Sequence, residues 1–372
     1  ETVVYVLLLA FLVFWRFLLP DDSERTRRLY AITAFVLLAF FGATRAVSVG
    51  RDTASFVEVF EKIAGRGFVD TWLFSSWTEP GFRFLCAFLG LFTRNGQWLI
   101  ALTSVFINFS FSRFIYRYVK NIYLGFFLYI TLMLYPFYFS MMRQGLAVSV
   151  FLFAYGFLRK RQYVRYELLV LLAASFHTSA LLFAVFPLFS LIRLNRRRLL
   201  YLLPAWGVVT LVAFAFTLQI VRLIQKIVPR YAEYKAYTFD ALYVFFAVFA
   251  TVTGYGIYRL YFSRKNPPPD DAEMSRERDL LTVIMLCGCV VAAMMTRFGQ
   301  LQRIFNYFEI FYLLYIPMIL PAGEYVPSKR QWGLRPAALG ASLCCLSYFV
   351  VLLFFRSSIW YDALPYQFFW QT

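Results

Sequence analysis

The chain has 372 residues, of which 61% are hydrophobic and only 15% are charged. Apolar runs of roughly 17–25 residues, long enough to cross about 30 Å of hydrocarbon, recur along it and exclude a water-soluble globule. Segments such as 31–42 and 241–252 are apolar on all sides, whereas strands of a membrane barrel alternate. The sequence therefore predicts an all-α, polytopic transmembrane bundle that forms a single integral membrane domain over residues 1–372.

The formal net charge of +17 does not indicate a nucleic-acid partner, because the basic residues form small clusters at the ends of apolar runs. Such clusters usually mark cytoplasmic loops and contact anionic lipid head groups. They lie at 25–28, 113–120, 159–165, 193–198, 264–278 and 329–335. We expect all of them to face the cytoplasm and the lipid bilayer to be the surface they contact.

In chain order, the predicted spans are 2–19, 29–47, 97–116, 122–140, 144–158, 166–192, 199–217, 240–262, 280–295, 304–320 and 336–355. With the N-terminus outside, the loop 48–96 is external. Its apolar part, 82–93, is too short for an easy crossing and predicts a re-entrant or interfacial helix. The polar, proline-rich segment 263–279 predicts a cytoplasmic linker.

The apolar stretch 166–192 has a basic cluster at each end, so a single crossing would place one of them outside. The stretch is interrupted by polar residues at 175–179. We expect a hairpin of two short helices with His177 at its outer tip, which makes the total eleven to twelve spans.

Ionisable residues on the external side are the candidate site residues, because burial at membrane depth is costly unless a charge is paired or lines a wet cavity. Arg143 and Gln144 lie between two apolar helices, and Arg297 and Arg303 bracket a short external turn. A guanidinium presents a fork of donors suited to phosphate oxygens. We interpret these residues as anion ligands, against the alternative of charges that snorkel to the interface.

His177 is the only histidine in the chain. It is a candidate general base or hydrogen-bond donor to phosphate, against the alternative of a packing residue. The external group is completed by Arg45, Arg51, Asp52 and Glu79. Glu79 directly precedes Pro80 and is equally expected as a helix N-terminal cap. Asp52 and Glu79 compete with His177 for the role of base.

The sequence contains no Asp-x-Asp pair in an external loop, no phosphate-binding loop, no zinc-ligand spacing and no hydrolase-type serine context. Its five cysteines lie inside apolar segments and are interpreted as packing residues. We therefore predict neither a metal site nor a cofactor.

Four short motifs follow one another within residues 45–185. They are Arg45…Val49-Gly50-Arg51-Asp52-Thr53, Glu79-Pro80-Gly81-Phe82, Met142-Arg143-Gln144-Gly145-Leu146-Ala147 and Ser175-Phe176-His177-Thr178-Ser179-Ala180. Their order resembles the EpsG-like family of bacterial polysaccharide polymerases, which are related in role to Wzy-type polymerases. That family often has Gly-Thr-Asp where this chain has Gly50-Arg51-Asp52, so Arg51 is expected to be particular to this chain.

The resemblance implies a metal-independent membrane glycosyltransferase of the GT-C type, acting on polyprenyl-diphosphate-linked oligosaccharides at the outer face of the bacterial cytoplasmic membrane. The terminal hydroxyl of one repeat unit attacks the anomeric carbon of the growing chain, and polyprenyl diphosphate leaves. The base is His177, Glu79 or Asp52. The residues expected to bind diphosphate or substrate are Arg45, Arg51, Arg143, Gln144, Arg297 and Arg303. Whether a chain-length regulator binds stays open.

Three alternatives stand beside this interpretation. One is a glycan ligase that uses the same donor, another is a transporter or flippase of lipid-linked oligosaccharides, and a third is an acyltransferase that modifies glycans. A transporter should place polar residues at matching depths from both faces, whereas the candidates here gather on one face. An acyltransferase predicts a histidine that opens toward the cytoplasm, against the topology derived above.

Overall fold

The structure is a computed structural model, and it describes residues 3–19, 23–66, 70–72, 78–227, 241–263, 271–320, 336–355 and 362–371. Within these ranges the chain is helical, with no β-strand, which confirms the predicted all-α class. Residues 264–270 of the predicted linker and the basic cluster at 329–335 lie outside the described residues.

Seventeen α-helices occur in the described ranges. They are α1 (Val3–Leu18), α2 (Glu24–Thr44), α3 (Thr53–Ala64), α4 (Pro80–Gly90), α5 (Gln97–Tyr118), α6 (Ile122–Thr131), α7 (Leu134–Ser140), α8 (Met142–Arg159), α9 (Tyr163–Phe176), α10 (Phe186–Phe189), α11 (Arg196–Ala215), α12 (Thr217–Ile227), α13 (Ala241–Ile257), α14 (Ala272–Met295), α15 (Gln302–Glu309), α16 (Tyr312–Ile319) and α17 (Pro336–Val350). A 3₁₀ helix, Thr178–Val185, continues the chain after α9.

Five apolar helices in the described part are long enough to cross a membrane, and α6 with α7 adds a sixth if that bent pair forms one span. The five are Glu24–Thr44, Gln97–Tyr118, Arg196–Ala215, Leu242–Phe262 and Ala272–Met295. The chain is therefore a multi-pass membrane protein. The number is below the expected eleven to twelve because several predicted crossings are occupied by shorter helices, such as Val4–Leu18 and Ser342–Leu353.

Several of the predicted spans are interrupted, among them 304–320, where α15 ends at Glu309 and α16 begins at Tyr312. The span expected at 122–140 bends by 46° between α6 and α7, where Met133 has a left-handed backbone with φ of 61°. The stretch 166–192 breaks where the polar residues predicted it: α9 ends at Phe176, and His177 is extended, with φ of −153° and ψ of 113°. His177 thus lies at a helix end, where a polar side chain can point away from the apolar helix body.

The chain divides into two compact units, Glu1–Ala184 with Ala322–Thr372 and Val185–Pro321. In the first unit α2 packs against α5 at Gly42, where a Cβ atom would lie 3.1 Å from the Cβ of Ser104. A small residue at such a crossing lets two backbones approach closely. The single membrane domain expected over residues 1–372 stays a prediction.

An apolar cluster in the first unit supports the ends of three helices. Its fully buried members include Phe56 of α3, Phe82 in the first turn of α4 and Met142 at the start of α8. Phe176, the last residue of α9, packs against the same cluster. Because the cluster fixes these helix ends together, it also fixes the residues that immediately precede or follow them.

In the second unit, a buried ion pair stands at the centre of a hydrogen-bond network. Arg278 Nη2 lies 2.9 Å from Asp279 Oδ1, and both side chains are almost fully buried. The same carboxylate accepts from the hydroxyl of Tyr261, at 2.8 Å, and from the backbone N–H of Leu194, at 3.2 Å. This network joins α14 to the segments that precede α11 and follow α13.

We predict that Asp279→Ala destabilises the protein strongly, because it leaves the Arg278 guanidinium buried without its carboxylate. Removing one partner of a buried pair costs about 3–5 kcal/mol. The measurement is the denaturation midpoint of the purified protein in detergent. Glu273→Ala, at an exposed position on the same helix, is the control and should unfold close to wild type. Equal midpoints for the two variants would contradict the prediction.

Candidate functional site

Three helix ends in the first unit bring together Glu79, Arg143 and His177. Glu79 is the residue before α4, Arg143 is in the first turn of α8, and His177 directly follows α9. The α8–α9 and α4–α9 pairs are packed against each other, which places these ends side by side. Three of the four motifs found in the sequence therefore meet at one place.

The carboxylate of Glu79 is the centre of this group. Its Oε2 forms an ion pair with Arg143 Nη1, and its Oε1 lies 3.5 Å from Nδ1 of His177. The backbone N–H and the hydroxyl of Thr178 both donate to the same Oε1 at 3.5 Å. The side chains of Glu79, Arg143 and His177 are only 6%, 14% and 16% exposed. The group is therefore a mostly buried acid–base cluster.

The surroundings of Glu79 determine its charge. Burial by itself raises the pKa of this carboxyl, but the hydrogen bond with His177 and the charge of Arg143 act in the opposite direction and lower the pKa to about 2. Glu79 is therefore an anion at any physiological pH. A carboxylate with so low a pKa is a weak proton acceptor, whereas it can hold a guanidinium and orient an imidazole.

The local sequence explains how Glu79 reaches His177. Pro80 occupies the first turn of α4, where its missing N–H and fixed φ suit a helix start. At Gly81 a Cβ atom would lie 2.8 Å from the backbone oxygen of Ser175, so only glycine lets the start of α4 approach the end of α9 this closely. Phe82 is fully buried against Phe56, with ring centroids 5.7 Å apart.

Arg143 lies at the beginning of α8, where the helix dipole favours negative charge. Glu79 provides that charge on one side, and the guanidinium carbon lies 5.3 Å from the centre of the Phe56 ring. The neighbouring Gln144 is buried. A helix N-terminus combined with an arginine is a suitable place for an anion such as a phosphate group.

Arg45 lies elsewhere in the first unit and is completely buried. Its Nη1 donates to the carbonyl of Gly42 and to the hydroxyl of Ser104, each at 2.5 Å. Its guanidinium carbon is 4.4 Å from the centre of the Phe139 ring. The described contacts of Arg45 thus connect α2, α5 and α7, and they do not include Glu79, Arg143 or His177.

The two other candidates of the first motif have partners or positions of their own. Arg51 Nε lies 3.0 Å from Asp362 Oδ2, in an ion pair that is partly exposed. Asp52 is the residue before α3, and its side chain makes no hydrogen bond that caps this helix. Neither residue is among the described partners of Glu79.

Arg297 and Arg303 belong to the second unit. Arg297 Nη1 donates to the carbonyl oxygens of Phe214, at 3.4 Å, and Ala215, at 3.2 Å, which are the last residues of α11. A cation at this position satisfies carbonyl groups that have no partner within the helix. Arg297 is therefore held by a helix end, which the sequence pattern did not indicate. Arg303 is the second residue of α15.

Helix α15 also carries two buried polar residues that the sequence analysis missed. Asn306 Nδ2 donates to Glu309 Oε2 at 3.2 Å, and both side chains are buried. The signal was available, because an acid and an amide three residues apart interrupt an apolar run. An ionisable residue at such a position is a candidate functional residue by default.

In the described ranges, no group of three or more His, Cys, Asp and Glu residues lies close enough together to hold a metal ion. The five cysteines are free thiols there, and Cys86 is fully buried within the apolar cluster of the first unit.

A protein-family model described as the EpsG family matches residues 28–368, which is nearly the whole chain. Neither the curated proteins nor the solved structures include a significant match to this sequence. The match includes all four motifs, the whole of the second unit and most of the first. This family match supports a general role in the polymerisation of a polysaccharide.

We predict that Glu79→Gln lowers the titration midpoint of His177, since the amide no longer favours the charged imidazolium. His177 is the only histidine, so histidine-labelled protein gives one imidazole signal that NMR can follow with pH. Glu61→Gln, at an exposed position in α3, is the control. An unchanged midpoint in the Glu79 variant would show that the two side chains are not coupled.

We also predict that Glu79 contributes acid-sensitive stability. A folded-state pKa of about 2, against an ordinary value of 4.5, gives stability that is complete above pH 4.5 and lost as the pH falls toward about 2. The difference in denaturation midpoint between wild type and Glu79→Gln should therefore shrink between pH 6 and pH 3 in detergent, at roughly constant ionic strength. A difference that stays constant with pH would contradict this assignment.

Proposed function

This chain belongs to the EpsG family, and on that premise we propose that it is a polysaccharide polymerase of the bacterial cytoplasmic membrane. It transfers a growing glycan from polyprenyl diphosphate to the terminal sugar of another lipid-linked repeat unit, at the outer membrane face, as a GT-C-like glycosyltransferase without a metal. The observation that carries the proposal is the buried cluster of Glu79, Arg143 and His177, which combines an anion-binding cation with an oriented proton acceptor.

In the proposed reaction, the hydroxyl oxygen of the acceptor sugar forms a bond to the anomeric carbon of the donor. The bond between that carbon and the diphosphate oxygen breaks, and polyprenyl diphosphate leaves with the bonding electrons. The hydroxyl proton passes to His177. Its Nδ1 faces Glu79, so Nε2, on the opposite side of the ring, is the nitrogen that accepts the proton.

Glu79 in this mechanism orients His177 and stabilises the imidazolium that forms, as the acid of a catalytic triad does. Its low pKa supports this role and disfavours the role of base, because Glu79 holds a proton too weakly. Asp52 stays a weaker candidate for the base, since it precedes α3 and the described partner of the His177 imidazole is Glu79.

Arg143 binds and stabilises the leaving diphosphate. Its guanidinium is a fork of N–H donors suited to phosphate oxygens, and it stands at the N-terminus of an 18-residue helix. Gln144, the next residue, is buried beside it. Arg45, Arg297 and Arg303 are secondary candidates for substrate binding, because the described contacts of the first two engage them with protein groups.

The test is to incubate the purified protein with lipid-linked repeat units and to separate the products by length. We expect a ladder that persists in a chelator of divalent cations. Arg143→Ala and His177→Ala should each lower the rate by about 10²–10³-fold, as the loss of an electrostatic stabiliser or a general base does. Glu79→Gln should lower the rate at least as much, because an amide in place of the carboxylate no longer holds the imidazole in the tautomer that accepts a proton at Nε2.

Arg94→Ala removes an exposed arginine of the same unit and should leave the ladder unchanged. If the protein moves the lipid-linked substrate across the membrane of a vesicle but does not lengthen its glycan, the result would support a transporter and overturn the proposal. Transfer to an acceptor other than a second repeat unit would indicate a ligase.

A further inference from the structure

The segment 362–371 pairs with the loop between α2 and α3, although more than 300 residues separate them along the chain. Two hydrogen bonds are between backbone groups and two involve side chains. They join Ala46 N to Gln367 O at 2.8 Å, Gly50 N to Asp362 O at 2.8 Å, Ser48 Oγ to Gln367 Oε1 at 3.2 Å, and Arg51 Nε to Asp362 Oδ2 at 3.0 Å. The loop that carries the first sequence motif is thus held along its length by this segment.

The pairing holds backbone in two uncommon conformations. Gly50 has φ of 96° and Asp362 has φ of 45°, and a hydrogen bond joins these two residues. Left-handed backbone at a residue other than glycine persists where its surroundings hold it in place. The segment is anchored further by Tyr366, whose hydroxyl donates to the carbonyl of Phe41 at 2.6 Å, and by the hydroxyl of Tyr5, which donates to Ala363 O at 3.1 Å.

The other side of the loop contacts the chain immediately before the candidate site. The backbone N–H of Arg51 donates to the hydroxyl of Ser140 at 2.9 Å, and the hydroxyl of Thr53 donates to Phe139 O at 3.1 Å. A Cβ atom at Gly50 would lie 2.9 Å from the backbone carbon of Phe139, so the two backbones are in direct contact. Phe139 and Ser140 end α7, and Arg143 follows three residues later.

A second route leads from the loop to Arg143. Thr53 begins α3, and the Phe56 ring one turn later lies against the Arg143 guanidinium. The loop therefore fixes both the backbone that precedes Arg143 and the ring on which its side chain rests.

We propose that Arg51 and Asp362 are a positioning pair for the candidate site. By holding the 46–53 loop in place, the pair sets the position of Arg143 against Glu79 and, through Glu79, the orientation of His177. Arg51 in this reading acts through its neighbours and does not bind the diphosphate itself. The catalytic part of this inference rests on the proposed function, whereas its structural part does not.

The ion pair is suited to such a role because it is partly exposed, with 49% and 35% of the two side chains accessible. Exposed ion pairs contribute little to global stability. Removing the pair should therefore leave the protein folded, and its effect should be local to the loop and to what the loop supports.

The experiment replaces Arg51 by methionine and follows the single imidazole signal of His177 by NMR. We expect Arg51→Met to shift this signal and to move its titration midpoint in the same direction as Glu79→Gln. Arg51→Met should add no further change in the Glu79→Gln background. Arg51→Lys keeps the charge and should restore most of the wild-type behaviour. Arg94→Met, which removes an exposed arginine of the same unit, should leave the signal unchanged.

In the polymerase assay, Arg51→Met should lower kcat about fivefold with little change in KM, the size expected of a small displacement of a catalytic group. The effect should vanish in the Arg143→Ala background, whereas damage to folding would lower the rate there as well. If Arg51→Met does not accumulate as folded protein, Asp362→Asn removes the same charge pair with a residue that tolerates left-handed backbone.

An imidazole signal in Arg51→Met that matches wild type, or one that Arg94→Met shifts equally, would overturn the inference. So would equal effects of Arg51→Met with and without Arg143. A wild-type protein that makes no ladder would reject the proposed function alone, since the imidazole measurement needs no substrate.

Discussion

A carboxylate that is almost completely removed from solvent is the constraint on which the candidate site depends. Burying such a charge is expensive unless cations and hydrogen-bond donors surround it. Glu79 meets this requirement with Arg143, His177 and Thr178, which come from two other helix ends. The compensation works in both directions, because a cation at the start of α8 also needs a nearby negative charge. These side chains therefore compensate one another, and together they form a mostly buried charged cluster in the first unit.

The position of this centre at helix ends has a physical reason. Within a membrane the backbone of a helix body is fully paired, and its surface is apolar. Helix ends carry unpaired N–H and C=O groups, so polar side chains are most easily satisfied there. Glu79, Arg143 and His177 all lie at such ends, and the apolar cluster that includes Phe82 and Met142 keeps these ends together. Gly81 adds the close contact with Ser175 that an alanine would prevent.

The arginines of the chain show how one residue type serves several purposes. Arg143 pairs with an acid, Arg45 is buried among backbone oxygen, a hydroxyl and an aromatic ring, and Arg297 caps the end of α11. The predicted membrane side of an arginine does not distinguish these roles, because each role depends on the hydrogen-bond acceptors and charges that surround the guanidinium in the folded protein. These contacts make Arg143 the leading candidate for anion binding in our proposal. The structure also identifies a buried polar pair in the second unit, Asn306 and Glu309, that the sequence analysis missed.

The sequence alone determined the all-α membrane class and the family, and its motifs predicted Glu79, Arg143 and His177 as candidate site residues. Hydrophobic content and the lengths of apolar runs are properties of the chain, and lipid leaves them few structural solutions. The number of long helices could not be predicted from the sequence, because the left-handed backbone of Met133 separates α6 from α7 and the extended backbone of His177 follows the end of α9, both within apolar runs. Only the tertiary structure decided that Glu79 contacts His177, or that Arg51 contacts Asp362. These two pairs are separated by 98 and by 311 positions along the chain. Contacts over such separations depend on how the helices pack, and spacing along the chain carries no information about that packing.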